Sequence, residues 1–184
     1  DNQNTGEISK KRQQDFEHLS NFFDKAYLTE AFSTVTQSRI LATEKLLSEL
    51  DQLSQSPNKF KPRMCLANDL AEIVFSCWKL VLVLWKERVT QIVQNCNQII
   101  DVLLTLSGIK SVQSYLKNDA SFKQVLDTFF DTLQDKITEG KYIDDFQWFE
   151  RSVAELVNNG FVTADEAVER LIGKQASKGR NPNN

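Results

Sequence analysis

The sequence contains few residues that end or bend a helix. Only six glycines and three prolines occur in 184 residues, and the prolines, Pro57, Pro62 and Pro182, lie outside the segments with periodic apolar residues. A β fold with many tight turns uses these two residue types far more often. The scarcity therefore favours an all-α fold whose helices run for long stretches without a breaker.

Residues that carry common catalytic chemistry are also scarce. His18 is the only histidine, and its neighbours in an amphipathic segment indicate a surface position. No glycine-rich phosphate loop, HExxH motif or nucleophile elbow occurs. The sequence therefore predicts no cofactor, no metal and no enzymatic activity. An enzyme that uses carboxylates alone is the one catalytic alternative.

The three cysteines match no known metal or redox spacing. Cys65, Cys77 and Cys96 are separated by 12 and 19 residues, and their neighbours are mostly apolar. This pattern indicates reduced structural thiols. Together with the absence of a glycosylation sequon and of a secretory signal, it predicts a cytoplasmic or otherwise intracellular, reducing location.

Clustered positive charge and long apolar runs are lacking as well. The net charge is −3, with −1 over residues 1–109, −5 over residues 110–172 and +3 over residues 173–184. Such a balance gives no global reason to bind nucleic acid or an anionic membrane. The longest apolar run, residues 73–85, contains Lys79 and is too short to cross a bilayer, so no membrane span is predicted.

What the sequence does contain is helical periodicity, which predicts an elongated bundle. We expect a flexible N-terminus over 1–7 and a long antiparallel helical hairpin over 8–107, with helices at 8–31, 34–54 and 64–107. The proline-containing segment 54–63 would be its turn, and Ser33 or Thr34 would cap the second helix. A unit of short helices over 109–173 would pack on the hairpin, followed by a disordered tail over 174–184.

The segment 64–107 carries the strongest pattern. Apolar or small residues recur at alternating steps of four and three: Ala71, Phe75, Trp78, Leu82, Trp85, Val89, Ile92, Cys96, Ile99, Leu103 and Leu106. The first half is apolar on all sides, which predicts bundle core. The second half has one apolar face, and so its residues Val89, Ile92, Ile99, Leu103 and Leu106 are candidates for binding a partner.

Two further candidate surfaces are charged. Asp127, Asp131 and Asp135 recur every fourth residue and would share one helix face, where they could dock a basic partner or, less simply, hold a cation. Contacts with phosphates would use five scattered cations, which are Lys59, Lys61, Arg63, Lys86 and Arg88.

The C-terminal part is rich in helix-end signals. Gly140 and Gly160 are typical C-terminal caps, and Asp144 with Gln147 and Thr163 with Glu166 match the capping box. The two regions resemble each other at an offset of 19 residues, which fits either a duplication or the shared pattern of a helix end and a helix start. Residues 153–171 have a helix-turn-helix look, but acidic residues stand where a DNA-reading helix needs cations or amides.

These observations lead to two main functional hypotheses. The first is a non-enzymatic adaptor or scaffold subunit that presents the heptad-patterned face to another protein or to a second copy. The alternative is a helical subunit of a nucleoprotein complex that touches phosphates only within a larger assembly.

Overall fold

The computed structural model describes residues 12–139 and 146–179, with side chains as far as Ile172, and these residues form an all-α protein. Its helices are α1 (Gln13–Leu19), α2 (Lys25–Ala31), α3 (Thr36–Gln55), α4 (Leu70–Leu84), α5 (Thr90–Ser107), α6 (Lys110–Asn118), α7 (Phe122–Glu139), α8 (Phe146–Asn158) and α9 (Ala164–Gly179). The chain divides into two compact units, unit 1 (Asp1–Leu116) and unit 2 (Lys117–Asn184). The predicted all-α class is confirmed.

Unit 1 is built around α5, which packs along α3 on one side and against α4 on another. Helix α4 is buried around most of its circumference, and Val74, Trp78 and Val81 are almost fully shielded from solvent. The prediction that the first half of the apolar stripe forms core is therefore consistent with the structure. Among the described helices, none is long and apolar enough to cross a membrane.

The predicted single helix over 64–107 is wrong, because the chain turns between α4 and α5. The backbone of Trp85 is still helical, whereas Val89 is extended. The amides of Lys86 and Glu87 donate to carbonyls three residues back, as in a tightened last turn. Folding α5 back on α4 buries apolar surface on both helices, which one continuous helix would leave exposed.

A partly buried ion pair holds this turn against the start of α3. The carboxylate of Glu87 lies 2.7 Å from Nε of Arg39 and 3.9 Å from Nη2 of Arg12. Arg39 also donates to the carbonyl oxygen of Ser33 at 2.9 Å. These contacts tie the turn to a segment 48 residues earlier in the chain, which local sequence cannot specify.

The predicted helix over 8–31 is also divided, into α1 and α2. Phe23 forms an isolated antiparallel bridge with Cys65. On one side of it the amide of Asp24 donates to the Met64 carbonyl at 2.9 Å. On the other side the amide of Leu66 donates to the Phe22 carbonyl, also at 2.9 Å. These hydrogen bonds replace the helical ones that the Asp24 amide and the Phe22 carbonyl would otherwise make. The two-armed hairpin is therefore not observed.

The predicted break near Ser33 is confirmed, but the cap differs. Helix α3 begins at Thr36, and the residue at its N-cap position is Val35, whose side chain makes no capping hydrogen bond. The hydroxyl of Ser33 instead accepts from the amide of Val35 at 3.0 Å.

Buried polar contacts fix how the helices of unit 1 align. Nδ2 of Asn95 on α5 donates to Oγ1 of Thr43 on α3 at 2.9 Å, and Nε1 of Trp78 on α4 donates to Oγ of Ser107 on α5 at 2.9 Å. Each pair satisfies groups that would be costly to bury alone. Such pairs favour the observed alignment of α3, α4 and α5 over alignments in which one helix is shifted along its axis.

Unit 2 contains α7, α8 and α9, with α9 packed on both others. Gly160 has a φ of +75° and ends α8, where the amide of Phe161 donates to the Leu156 carbonyl as a Schellman motif requires. The capping box of Thr163 and Glu166 is confirmed, with reciprocal hydrogen bonds of 3.1 and 3.2 Å.

Several predictions fall outside the described residues. These are the flexible 1–7 segment, the Gly140 cap, the Asp144 half of the other capping box and the end of the predicted tail at 180–184. Helix α9 continues to Gly179, beyond the predicted boundary at 173. The unit boundary lies within α6, between Leu116 and Lys117, rather than at Gly108. The packing of the C-terminal unit on unit 1 stays a prediction.

Unit 1 is expected to lose stability in alkali through Tyr27. Its hydroxyl donates to the Ala42 carbonyl at 2.7 Å, and burial, followed by the neighbouring Cys77, raises the pKa of Tyr27 well above 10.0. The folded chain therefore keeps this proton after the unfolded chain has released it, so stability falls as the pH rises above about 10. A hydrogen bond with Cys65, followed by burial, also raises the pKa of Cys77 well above 9.0, which adds to the loss of stability in alkali.

Replacing Tyr27 with phenylalanine removes both the hydrogen bond to Ala42 and the hydroxyl that titrates in alkali. We expect Tyr27→Phe to cost about 1 kcal/mol at pH 7, from the lost hydrogen bond, and to make the decline above pH 10 shallower. Urea unfolding at neutral and alkaline pH measures both. Tyr115→Phe, at a tyrosine 36% exposed, is the control and should leave the alkaline decline unchanged.

Candidate functional site

The residues predicted to bind a partner lie in the core of unit 1. Ile92, Ile99 and Leu103 have no exposed surface, Leu106 has 1%, and Val89 at the turn is half-buried. Their cover is the chain itself, since α3 and α4 pack on α5. This corrects the interpretation of the stripe as a partner surface, because its second half is folded back onto its first.

The acidic row of α7 is exposed, as its spacing suggests. Asp127, Asp131 and Asp135 all face solvent, and Asp127 forms an ion pair with Arg170 of α9 at 2.5 Å. Within the described part of the chain, no group of three or more metal-ligating side chains is arranged to hold a metal ion. A role for the row in docking a basic partner stays a prediction.

The five cations proposed for phosphate contacts are exposed but separated. Lys59, Lys61 and Arg63 follow the end of α3, whereas Lys86 and Arg88 belong to the turn that Glu87 joins to the start of α3. The backbone amide of Arg63 donates to Glu49, which lies ten residues, or about 15 Å of helix, from Arg39 at the turn. The two groups of cations do not form one basic patch.

A mixed-charge cleft of about 480 Å³ lies on unit 1, beside α2 and α3. Two of its carboxylates are engaged within the unit: Nζ of Lys45 lies 2.9 Å from Oε2 of Glu30, and Glu49 accepts from the backbone amide of Arg63 at 3.0 Å. His18 is exposed and packs edge-on against Phe22, as expected of a surface histidine.

An open apolar groove of about 290 Å³ lies between α7, α8 and α9, and we call it the unit 2 groove. Its lining residues are apolar except for one, Glu150. The lining residues are Leu133, Ile137, Phe146, Phe149, Glu150, Val153, Ala154, Val157, Ala164, Ala167, Val168 and Leu171.

The groove has a rim of exposed apolar side chains. Phe146 of α8 is 49% exposed, Val168 of α9 is 54% exposed, and Ile172, one turn after Val168, is 58% exposed. Each helix places apolar residues three or four positions apart toward the groove, as Phe146, Phe149 and Val153 do on α8. Large apolar side chains that stay exposed together are typical of an interaction surface.

The floor of the groove belongs to the core of unit 2. Leu133, Phe149 and Ala167 are buried beneath the rim residues. Core and rim thus share the same helical periodicity, and the sequence analysis singled out none of these residues as a site. Periodicity alone does not separate a half-exposed apolar residue from a buried one.

Unit 2, which carries the groove, is acidic. Its described side chains, residues 117–139 and 146–172, include ten carboxylates and five cations, and the sequence of residues 117–184 as a whole has twelve carboxylates and nine cations. Arg170 is engaged with Asp127 and packs over the ring of Phe130, with its guanidinium carbon 5.2 Å from the ring centroid. The unit therefore combines an apolar groove with a net negative charge.

Comparison with known proteins provides no relative. No protein-family model, curated protein or solved structure matches this chain.

Proposed function

We propose that the protein is a non-enzymatic interaction subunit whose unit 2 groove binds an amphipathic helix of a partner protein. The observation that carries this proposal is the groove itself, with Phe146 and Val168 about half exposed above a buried floor. An amphipathic helix buries its apolar face in such a groove through side chains at positions i, i+3, i+4 and i+7.

The chemistry of the lining favours a helix over a small metabolite. Specific small-molecule sites combine an apolar pocket with several convergent polar groups, and here Glu150 is the one polar side chain in the lining. The volume of about 290 Å³ is at the lower end for a ligand pocket but suffices for a few aliphatic side chains.

Charge complementarity indicates that the partner helix is basic. Its apolar stripe would lie on the floor, and a lysine or arginine beside that stripe would pair with Glu150. The excess of carboxylates on unit 2 would speed the approach of such a helix at low salt. A second copy of this chain brings the same negative field, so repulsion disfavours self-association through this face.

Selection of helical peptides displayed on phage, against the purified full chain, tests the proposal. We expect enrichment of peptides with apolar residues at helical spacing and with flanking lysine or arginine. Val168→Lys, which places a cation on the rim, should weaken the best peptide at least about tenfold, equivalent to 1.4 kcal/mol.

Leu41→Lys is the matched control, because Leu41 is 45% exposed on α3 in unit 1 and should tolerate the change without loss of binding. Selection of acidic or non-helical peptides, or equal losses in the two variants, would contradict the proposal. Light scattering tests whether a second copy of the chain fills the groove instead. A dimer that dissociates in Val168→Lys would show this and would contradict the proposal of a partner helix.

A further inference from the structure

We propose that Cys65 and Cys77 form a dithiol that hydroperoxides oxidise to an intramolecular disulfide within unit 1. The two Sγ atoms lie 3.8 Å apart in the core, where they share a hydrogen bond. Neither the spacing of the cysteines along the chain nor their count indicated such a pair. This inference is independent of the unit 2 groove.

The geometry requires only a small movement. A disulfide has an S–S length of about 2.05 Å, so each sulfur would move by roughly 1 Å. Cys77 lies within the regular helix α4, whereas Cys65 lies in the connection between α3 and α4. That connection lacks the continuous hydrogen bonds of a helix: the amide of Cys65 donates to the Pro62 carbonyl at 3.2 Å, and the bonds on either side of it go to Phe22 and Asp24. It can therefore adjust more readily than α4.

The order of reaction follows from the two environments. Cys65 is 3% exposed and belongs to the connection, so local opening reaches it before Cys77, which is fully buried in α4. The hydrogen bond with Cys65, followed by burial, also raises the pKa of Cys77, which keeps it a thiol. Cys65 is therefore the first nucleophile, and Cys77 is the resolving thiol.

The reaction balances in two steps. The Cys65 thiolate attacks one oxygen of the hydroperoxide, the O–O bond breaks, and the products are a sulfenic acid and an alcohol or water. The sulfur of Cys77 then attacks the sulfenic sulfur, loses its proton and displaces hydroxide, which leaves as water. Two thiols have lost two electrons in total, and the peroxide has gained them.

The bond would tie the connection between α3 and α4 to the middle of α4. That connection carries Lys59, Lys61 and Arg63, and it also pairs with Phe23 through Cys65. Closing a loop between residues 65 and 77 lowers the entropy of the unfolded chain, so oxidised unit 1 should unfold at a higher temperature. Reduction with dithiothreitol should reverse the rise in Tm.

Mass spectrometry of the full chain after treatment with hydrogen peroxide tests the proposal. Residues 64–79 contain both cysteines and no lysine or arginine before Lys79, so trypsin leaves them in one peptide. We expect this peptide to lose two hydrogen atoms and to resist alkylation, while the peptide with Cys96 still alkylates. Cys77→Ser should abolish the loss, and Cys96→Ser should leave it intact.

Burial alone slows oxidation of a thiol. A urea-unfolded sample is therefore oxidised in parallel, and it defines the peroxide concentration and time that suffice to oxidise accessible cysteines. The proposal fails if Cys65 and Cys77 both stay alkylatable in the folded chain at an exposure that oxidises the unfolded one. It also fails if Cys65 proceeds to sulfinic acid beside a free Cys77, or if the disulfides formed join different chains.

Discussion

Replacing Trp85 with alanine is expected to lower the free energy of unfolding by about 3–5 kcal/mol. The indole has no exposed surface, and its Nε1 donates to Oδ1 of Asn97 at 2.8 Å. Trp85 is also the residue at which α4 ends and the chain turns toward α5. Its removal would leave a cavity at the point where the two helices join, and Asn97 would lose its hydrogen bond.

Urea unfolding followed by circular dichroism measures this loss. Trp85→Phe separates the contributions, because it keeps most of the apolar volume and should cost less than the alanine variant. Leu66→Ala is the control, since Leu66 is 53% exposed in the same unit and should change the stability by no more than about 0.5 kcal/mol. A loss of under about 1 kcal/mol for Trp85→Ala would mean that the turn is not packed as described.

Replacing Glu87 with glutamine is expected to cost about 2 kcal/mol. The side chain of Glu87 is 11% exposed, and the arginines that face it, Arg39 and Arg12, are 16% and 18% exposed. Removing the carboxylate charge would leave two poorly solvated guanidinium groups without a counterion, which is the costly way to break a buried pair.

The ion pair of Lys45 and Glu30 provides a matched comparison within unit 1. Its Nζ to Oε2 distance is 2.9 Å, but the side chains are 58% and 47% exposed. Glu30→Gln should therefore cost less than about 1 kcal/mol, since exposed pairs contribute little. Equal effects of Glu87→Gln and Glu30→Gln on urea unfolding would show that the Glu87 contacts do not stabilise the turn.

The apolar stripe marks buried positions, although the prediction assigned its second half to a partner instead of the core. Apart from Val89, the alternating stripe from Ala71 to Leu106 is buried, and the chain turns in its middle. A stripe of this kind indicates which positions face other helices. Two consecutive short helices can produce the same spacing as one long helix. The spacing alone could not separate these cases.

The turns were missed because their causes are distant in sequence. No glycine or proline marks residues 85–89 or 20–24. The first turn is held by Arg39, and the second by the pairing of Phe23 with Cys65. Where the signal was local, as in the capping box of Thr163 and Glu166, the prediction was confirmed.

The candidate site was missed for a related reason. Every apolar residue of the unit 2 groove fits a core position by periodicity, and only the packing of three helices shows that Phe146 and Val168 remain half exposed. The predicted partner residues, in contrast, are buried. Helix α5 is amphipathic when considered alone, but α3 and α4 cover its apolar residues Ile92 and Leu103. Burial depends on which elements pack together.

Hydrogen exchange of the full chain, with and without the best selected peptide, tests most directly whether the unit 2 groove is the interaction surface. We expect slower exchange in α8 and in the first turns of α9, which carry Phe146 and Val168, and unchanged exchange in α5. Protection confined to unit 1, with α8 and α9 unaffected, would contradict the proposal.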